Sequence, residues 1–152
     1  MGLFSKDAQI VIDAKKSAKW ISKALTSAGY KADFSLDSLK EIDRFFDEHS
    51  VNGKTKPNGL FSEQLGSRIF SIGSYVGEVL RKKYGGKWVG NDNDPESELN
   101  LELRLKGDVG IWPIQKVIKR LQNGSEDNLY FYGKVAGEIQ RDQTQQQPSA
   151  DR

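Results

Sequence analysis

The sequence contains no cysteine, and this absence excludes several classes of function at once. Without thiols the chain forms no disulfide, no cysteine-ligated zinc site, no iron–sulfur cluster and no thiol nucleophile. A chain without cysteine is compatible with a reducing compartment, and the cytoplasm is the location that we predict.

Long apolar runs are also missing from the sequence. No segment approaches the run of about 18 apolar residues that predicts a membrane-spanning helix. Residues 1–7 lack the continuous apolar stretch of a secretory signal. They resemble a myristoylation signal, but that pattern requires Ser or Thr where Lys6 stands. The sequence therefore predicts no membrane association.

Charge is almost balanced, with 23 Lys and Arg residues against 21 Asp and Glu residues. The net charge of +2 is too small to predict nucleic acid or an anionic membrane as a partner. A length of 152 residues fits one domain, which we place at residues 1–142. Residues 143–152 are rich in Gln and lack core-forming side chains, so they are predicted to be a disordered tail.

The periodicity of apolar residues predicts helices and strands in separate parts of the chain. This segregation is typical of an α+β domain with three N-terminal helices, a small antiparallel three-stranded sheet and two C-terminal helices. A polar connection rich in turn formers is predicted over residues 51–59. The helices are predicted near residues 6–28, 35–49, 60–84, 113–123 and 125–142, and the strands near 84–90, 98–106 and 109–112.

The third predicted helix carries Gly66, Gly73 and Gly77 on one side. Each glycine inside a helix costs about 0.8–1 kcal/mol relative to alanine, so a compensating gain is expected. We predict that another segment crosses the helix closely at Gly73 or Gly77. The opposite face is predicted to be polar and directed to solvent, and it comprises Glu63, Ser67, Ser71, Ser74, Glu78 and Arg81.

Leucine alternates with polar residues between positions 98 and 106, which predicts a strand with one buried face. The buried face would carry Leu99, Leu101, Leu103 and Leu105. The other face would meet solvent or a partner, and it would carry Glu98, Asn100, Glu102 and Arg104.

Motifs for metal or phosphate binding fail when their spacing is checked. The loop that starts at Asn91 has Glu102 at the twelfth EF-hand position but Glu96 where a glycine is required. A phosphate-binding loop would need Ser or Thr after Lys87, and Trp88 stands there. We therefore predict no metal site, no cofactor and no catalytic residue.

Basic residues cluster in two segments that could meet in the fold. Few aromatic residues accompany them, so a solvated basic edge is favoured over a nucleic-acid site, and nucleic acid is not predicted as a partner. The cluster comprises Arg81, Lys82, Lys83, Lys87, Lys116, Lys119 and Arg120.

Three short segments of the sequence resemble a diffuse group of uncharacterised bacterial domains of unknown function. They are residues 34–43, residues 72–80 with the Gly-Lys-Trp of 86–88, and residues 112–124. Their common features are a Gly-x-x-x-Gly-Glu helix, a Gly-x-Trp strand and a Pro-led basic helix that ends in Asn-Gly. The resemblance covers about residues 34–135 and implies a fold type and a bacterial origin. It assigns no catalytic residue.

The function predicted from these observations is a non-enzymatic protein-binding module that binds another protein, or a second copy of itself as a homodimer. The alternative is a hydrolase or transferase with a site near Glu78, Tyr75 and His49, the only histidine. A third reading is a nucleic-acid accessory protein. The candidate binding residues are Tyr75, Glu78, Trp88, Lys116 and Arg120.

Overall fold

The computed structural model describes residues 7–59, 61 and 63–146, with side chains described as far as residue 142. It confirms the α+β class. In chain order the elements are α1 (Gln9–Ser27), α2 (Ser38–His49), β1 (Ser50–Val51), β2 (Lys54–Thr55), α3 (Leu65–Tyr84), β3 (Lys87–Val89), β4 (Glu102–Leu105), β5 (Val109–Ile111), α4 (Pro113–Asn123), a 3₁₀ turn (Gly124–Asp127) and α5 (Leu129–Gln146).

Helix α3 is the centre of the fold and is buried on all sides from Ile69 to Leu80. Helices α1 and α4 pack along it, and the three-stranded sheet covers its C-terminal half. The prediction that Ser71, Ser74 and Glu78 face solvent is therefore wrong. A helix surrounded by neighbours buries every face, and small serines fit such a position without clashes.

The predicted close crossing on α3 is confirmed at two of the three glycines. A Cβ atom added at Gly73 would lie 2.7 Å from the Cα of Ile114 in α4. A Cβ atom at Gly77 would overlap the indole ring of Trp88. Gly66 has open space around it, so no other segment packs closely against this glycine.

The three-stranded sheet is antiparallel, with the order β3-β4-β5. Leu101, Leu103 and Leu105 are buried against the helices as predicted, whereas Leu99 is 37% exposed. The strand begins at Glu102 and not near residue 98. The side chain of Asp94 accepts hydrogen bonds from the Glu96 backbone and the Asn100 amide, both at 2.8 Å, and holds residues 95–100 in turns.

A second, two-stranded sheet lies within the predicted polar connection. Strands β1 and β2 form a hairpin around Asn52 and Gly53, whose φ angles of 54° and 78° are both positive. Asn-Gly is the preferred pair for such a two-residue turn, so the sequence contained this signal. Helix α3 starts later than predicted, at Leu65, because Gln64 adopts a left-handed conformation with φ 55°. Residues 60 and 62 lie outside the described residues.

The acidic loop before β4 caps α1 across the molecule. The two carboxylate oxygens of Asp92 accept hydrogen bonds from the backbone N–H groups of Gln9 at 2.7 Å and Ile10 at 2.9 Å. These N–H groups have no partner within the helix, and a carboxylate also interacts favourably with the positive end of the helix dipole. The loop thus has a structural role that its composition alone did not indicate.

A buried ion pair joins α2, α4 and α5. One oxygen of Asp43 accepts hydrogen bonds from Arg120 Nε and from the backbone N–H of Leu129, each at 2.9 Å. The other oxygen accepts from the backbone N–H of Tyr130 at 3.0 Å. Arg120 is only 2% exposed and also donates to the exposed Asp47 at 2.7 Å. Asp43 therefore pairs with α4 and caps the N-terminus of α5 at once.

Helix α5 continues to Gln146, four residues beyond the predicted end of the domain at residue 142. The rest of the predicted tail, residues 147–152, lies outside the described residues. Among the described residues, no helix has both the length and the apolar character needed to cross a membrane.

Substitution of Gly73 by alanine should destabilise the protein by roughly 1–3 kcal/mol, because the new methyl group would overlap the backbone of α4. The matched control Gly66→Ala lies in open space and should stabilise the protein by about 0.4–1 kcal/mol. Denaturant melts of the two variants measure both effects. Equal shifts for the two glycines would contradict the close crossing.

Substitution of Asp43 by alanine should cost about 3–5 kcal/mol, because it leaves the buried Arg120 without its buried partner. Asp47→Ala removes the exposed partner of the same guanidinium and should cost about 1 kcal/mol or less. Urea melts at neutral pH compare the two variants. A larger loss of stability for Asp47→Ala than for Asp43→Ala would contradict the role of Asp43 as the main partner of Arg120.

Candidate functional site

The three residues of the alternative enzyme site are hydrogen-bonded to three different sets of neighbours. The Tyr75 hydroxyl lies at the start of α2, where it accepts a hydrogen bond from the Phe34 backbone at 2.9 Å and lies 2.6 Å from Ser38 Oγ. Since Ser38 donates its own proton to the carbonyl oxygen of Ser35, Tyr75 donates to Ser38. Burial raises the pKa of Tyr75, so its hydroxyl stays protonated at neutral pH.

Glu78 lies one turn of α3 further along and forms a closed network with different neighbours. Its carboxylate accepts two hydrogen bonds from Arg81, at 2.6 and 3.0 Å, and one from the indole N–H of Trp88 at 2.9 Å. Burial alone would raise the pKa of Glu78, but these hydrogen bonds outweigh it and hold the pKa below its ordinary value. The network attaches β3 to α3 and leaves no basic carboxylate for catalysis.

His49 lies at the end of α2 in a third location. Its Nε2 atom is 3.1 Å from the Tyr30 hydroxyl, which donates a hydrogen bond to Glu48. Burial, followed by the hydrogen bond and charge of Glu48, raises the pKa of Tyr30 to about 12. The Arg44 guanidinium stacks 4.2 Å from the Tyr30 ring and pairs with Glu48. Among the described residues, Tyr30 is the hydroxyl group that lies within hydrogen-bond distance of His49.

The five candidate binding residues fall into two groups. Tyr75, Glu78, Trp88 and Arg120 are buried, and each is hydrogen-bonded within the chain. Lys116 is partly buried, and its ammonium group donates to Asp127 at 2.6 Å and lies 5.2 Å from the centre of the Tyr132 ring. Within the described part of the chain, no group of three acidic or histidine side chains could hold a metal ion.

The predicted basic cluster is divided by its ion pairs. Arg81 pairs with Glu78, Lys116 with Asp127, and Arg120 with Asp43. These three cations are therefore paired with acids. The partners of Lys116 and Arg120 could not be predicted from helical spacing, because they lie outside α4, whereas Glu78 and Arg81 have the i,i+3 spacing of a helical pair.

An exposed aromatic surface follows the outer side of α4, and we name it the Trp112 face. Trp112 is 43% exposed, although it lies directly between β5 and α4. Two adjoining clefts of about 380 and 230 Å³ meet along this surface and share Gln115 and Lys119. The Trp112 face comprises Leu99, Trp112, Gln115, Ile118, Lys119 and Tyr132.

Local geometry explains why this tryptophan faces outward. Pro113 occupies the first turn of α4 and is buried, so the chain must leave the sheet at Trp112. The indole ring passes close to Gly110, where an added Cβ atom would lie 3.5 Å from the ring. The Gln115 amide donates a hydrogen bond to the Leu99 carbonyl at 2.8 Å and fixes the neighbouring loop to α4. The surface is thus held by rigid elements on both sides.

The electrostatics of the Trp112 face leave one cation available. The hydrogen bond from Lys116 lowers the pKa of Asp127, so this pair is charged but mutually neutralised. Burial raises the pKa of Tyr132, whose phenol therefore remains a neutral donor. Lys119 is exposed and has no ion-pair partner within the described residues, and Glu96 also lines the larger cleft. The face is therefore apolar at its centre and cationic at Lys119.

Comparisons with protein-family models, curated proteins and solved structures found no match to this chain. The resemblance to uncharacterised bacterial domains thus stays a prediction. The sequence predicts Trp112 as the end of a strand and includes it in the resemblance over residues 112–124, but it does not predict Trp112 as a binding residue. Its signal was its place directly before Pro113, since a residue between a strand end and a helix start is seldom covered by either element.

Glu78→Gln should destabilise the protein by roughly 1–3 kcal/mol at neutral pH, because it weakens charge-assisted hydrogen bonds in a buried site. The folded-state pKa lies below the ordinary value of 4.5, so this stabilisation is complete above pH 4.5 and is lost as the pH falls further. Urea melts from neutral pH to about pH 3 should therefore show a smaller acid-induced loss for Glu78→Gln than for the wild type.

The matched control for this series is Glu63→Gln, because Glu63 is exposed just before α3. It should change the free energy of unfolding by no more than about 0.5 kcal/mol. If Glu78→Gln lost as much stability on acidification as the wild type, the network would not be the source of the pH dependence.

Proposed function

We propose that the protein is a non-enzymatic protein-binding module of the bacterial cytoplasm, and that it binds an apolar segment of another protein on the Trp112 face. The observation that carries this proposal is the exposed Trp112 beside two adjoining clefts. The bacterial origin and the compartment rest on the sequence alone.

The chemistry of the face supports a peptide segment as the ligand. Tryptophan is enriched among residues that dominate binding energy, because its large ring loses much water-exposed area at a small entropic cost. The clefts beside it offer room for the apolar side chains of a partner, and Ile118 and Leu99 provide apolar walls. Rigid presentation reduces the cost of ordering the surface on binding.

Lys119 adds a requirement for charge. It is the exposed cation that both clefts share, and it has no ion-pair partner within the described residues. A partner segment with an acidic residue next to its apolar anchor would place a carboxylate near this ammonium group. Such rim charges favour the correct partner and accelerate association more than they add affinity.

The alternative hydrolase or transferase has no comparable support. It requires Glu78, Tyr75 and His49 to act together, yet each is hydrogen-bonded to a different set of neighbours. A general base must lie within hydrogen-bond reach of the proton it removes, and these three groups do not line a common cleft.

Selection of a random peptide library against the purified protein tests the proposal. The enriched peptides should contain an aromatic or aliphatic anchor close to an acidic residue. In fluorescence polarisation assays, Trp112→Ala should weaken the best peptide by roughly tenfold or more, as the loss of a hot-spot residue does. Lys119→Glu should weaken it by roughly fivefold or more, because it reverses the available charge.

Trp20→Ala is the matched control, because Trp20 is 49% exposed on α1 and contacts the Arg68 guanidinium instead. This variant should bind the peptide as the wild type does. Equal binding by Trp112→Ala and Trp20→Ala would overturn the proposal. A wild-type dimer in sedimentation velocity that Trp112→Ala dissociates would assign the face to a second copy of the chain, and would also overturn it.

A further inference from the structure

A second cleft, which we name the Tyr84 groove, lies where the C-terminal end of α3 meets α5. Its volume is about 450 Å³, which is within the range of small-molecule sites. Four of its residues are cationic and come from three separate parts of the chain. The groove is lined by Leu36, Lys83, Tyr84, Lys106, Lys134 and Arg141, with Gly137, Glu138 and Gln140 between the last two.

The groove exists because two glycines let α5 approach α3. The Tyr84 ring lies against Gly137, where any Cβ atom would overlap it, and the Tyr84 hydroxyl donates a hydrogen bond to the Gly133 carbonyl at 2.9 Å. Lys106 extends from the β4–β5 turn across Gly85, where an added Cβ would lie 2.8 Å from its Cε atom. The Tyr84 ring, the β4–β5 turn and α5 therefore form the sides of the groove.

The lining of the groove carries an excess of positive charge. Among the described residues, Lys83, Lys106, Lys134 and Arg141 have no ion-pair partner within 4.0 Å. Glu138 is the one carboxylate among the lining residues, so four positive charges less one negative charge leave an excess of three. The end of α3 contributes a partial charge of only about −0.5, which this excess outweighs.

We propose that the Tyr84 groove binds a small organic phosphate. A phosphate group concentrates up to two negative charges at one point, and lysine ammonium groups bind it as point charges. The same cleft is lined by Leu36 and Tyr84, whose side chains offer an apolar contact for the organic part of the ligand. This site shares no residue with the Trp112 face and does not depend on the function proposed there.

Calorimetric titration with ADP and with inorganic pyrophosphate, at low salt and without divalent cations, tests the site. One ADP should bind per chain, and more tightly than pyrophosphate, because only ADP offers an organic group to Leu36 and Tyr84. Lys106→Gln and Arg141→Gln should each weaken ADP binding by roughly fivefold or more, as expected for the loss of a charge-assisted contact. Added salt should weaken binding in the wild type.

Glu138→Gln gives a prediction of opposite sign. It removes the one acidic group of the lining, so ADP should bind about twofold more tightly or better. Local unfolding cannot produce a gain in affinity, so this variant separates charge from structural damage. Lys54→Gln is the matched control, because Lys54 lies on the hairpin after the C-terminal end of α2, whereas the groove lies beside Leu36 before its N-terminal end. A helix of 12 residues separates the two places by about 18 Å.

Thermal melts establish that each variant is folded before its affinity is compared. Absence of ADP binding by the wild type would overturn the proposal, as would equal affinities for Lys106→Gln, Arg141→Gln and Lys54→Gln. A hexaglutamate peptide that competes with ADP at equal concentration would identify a general acidic-segment surface, and would overturn the assignment to phosphate. A single-stranded oligonucleotide that binds while ADP does not would overturn it in favour of nucleic acid.

Discussion

The arrangement of the C-terminal half depends on the ion pair and hydrogen bonds that the Asp43 carboxylate makes. A buried ion pair gains stability only when its remaining hydrogen-bonding capacity is also used, because desolvation of two charges costs several kcal/mol. Here one oxygen binds Arg120 and the Leu129 backbone, and the other binds the Tyr130 backbone. Asp43 therefore holds the last turn of α4 and the first turn of α5 against α2. Both proposed surfaces are built on these two helices, so their geometry follows from it.

Helix α3 imposes the second constraint, because it is enclosed on every side. Its neighbours can approach only where its side chains are small, which places α4 over Gly73 and Trp88 over Gly77. The Trp88 indole then reaches Glu78, and Arg81 completes the carboxylate's hydrogen bonds. The polar residues of a central helix thus serve to attach the sheet. The hydrogen bonds that the Glu78 carboxylate accepts from Arg81 and Trp88 therefore have a structural role.

The sequence predicted features that depend on local periodicity and failed where a distant partner decides the outcome. The alternation of Leu101, Leu103 and Leu105 identified a buried strand face, and the glycines of α3 identified a close crossing. The burial of Glu78 could not be predicted, because its partner Trp88 lies on a strand whose position depends on the whole fold.

The candidate sites were predictable to different degrees. Lys116 was predicted as part of a solvated basic edge, but it is partly buried and paired with Asp127, which lies in the turn after α4. The cations of the Tyr84 groove come from α3, a hairpin turn and α5, and no linear pattern connects them. The Asn52–Gly53 hairpin is different, since its turn signal is local and was present in the sequence.

The cap on α1 affects the order in which contacts can form while the chain is synthesised on the ribosome. The first N–H groups of α1 bind Asp92, which follows Gln9 by 83 residues, and Asp43 binds a backbone N–H group 86 residues further along the chain. During synthesis, the first two helices therefore emerge long before the groups that complete them. Contacts of such large sequence separation form late and slow folding, because a long loop must first be closed. Helix α1 can pack on α3 once Tyr84 has been translated, but its N-terminal cap needs Asp92, and the capping of α5 by Asp43 needs Leu129 and Tyr130.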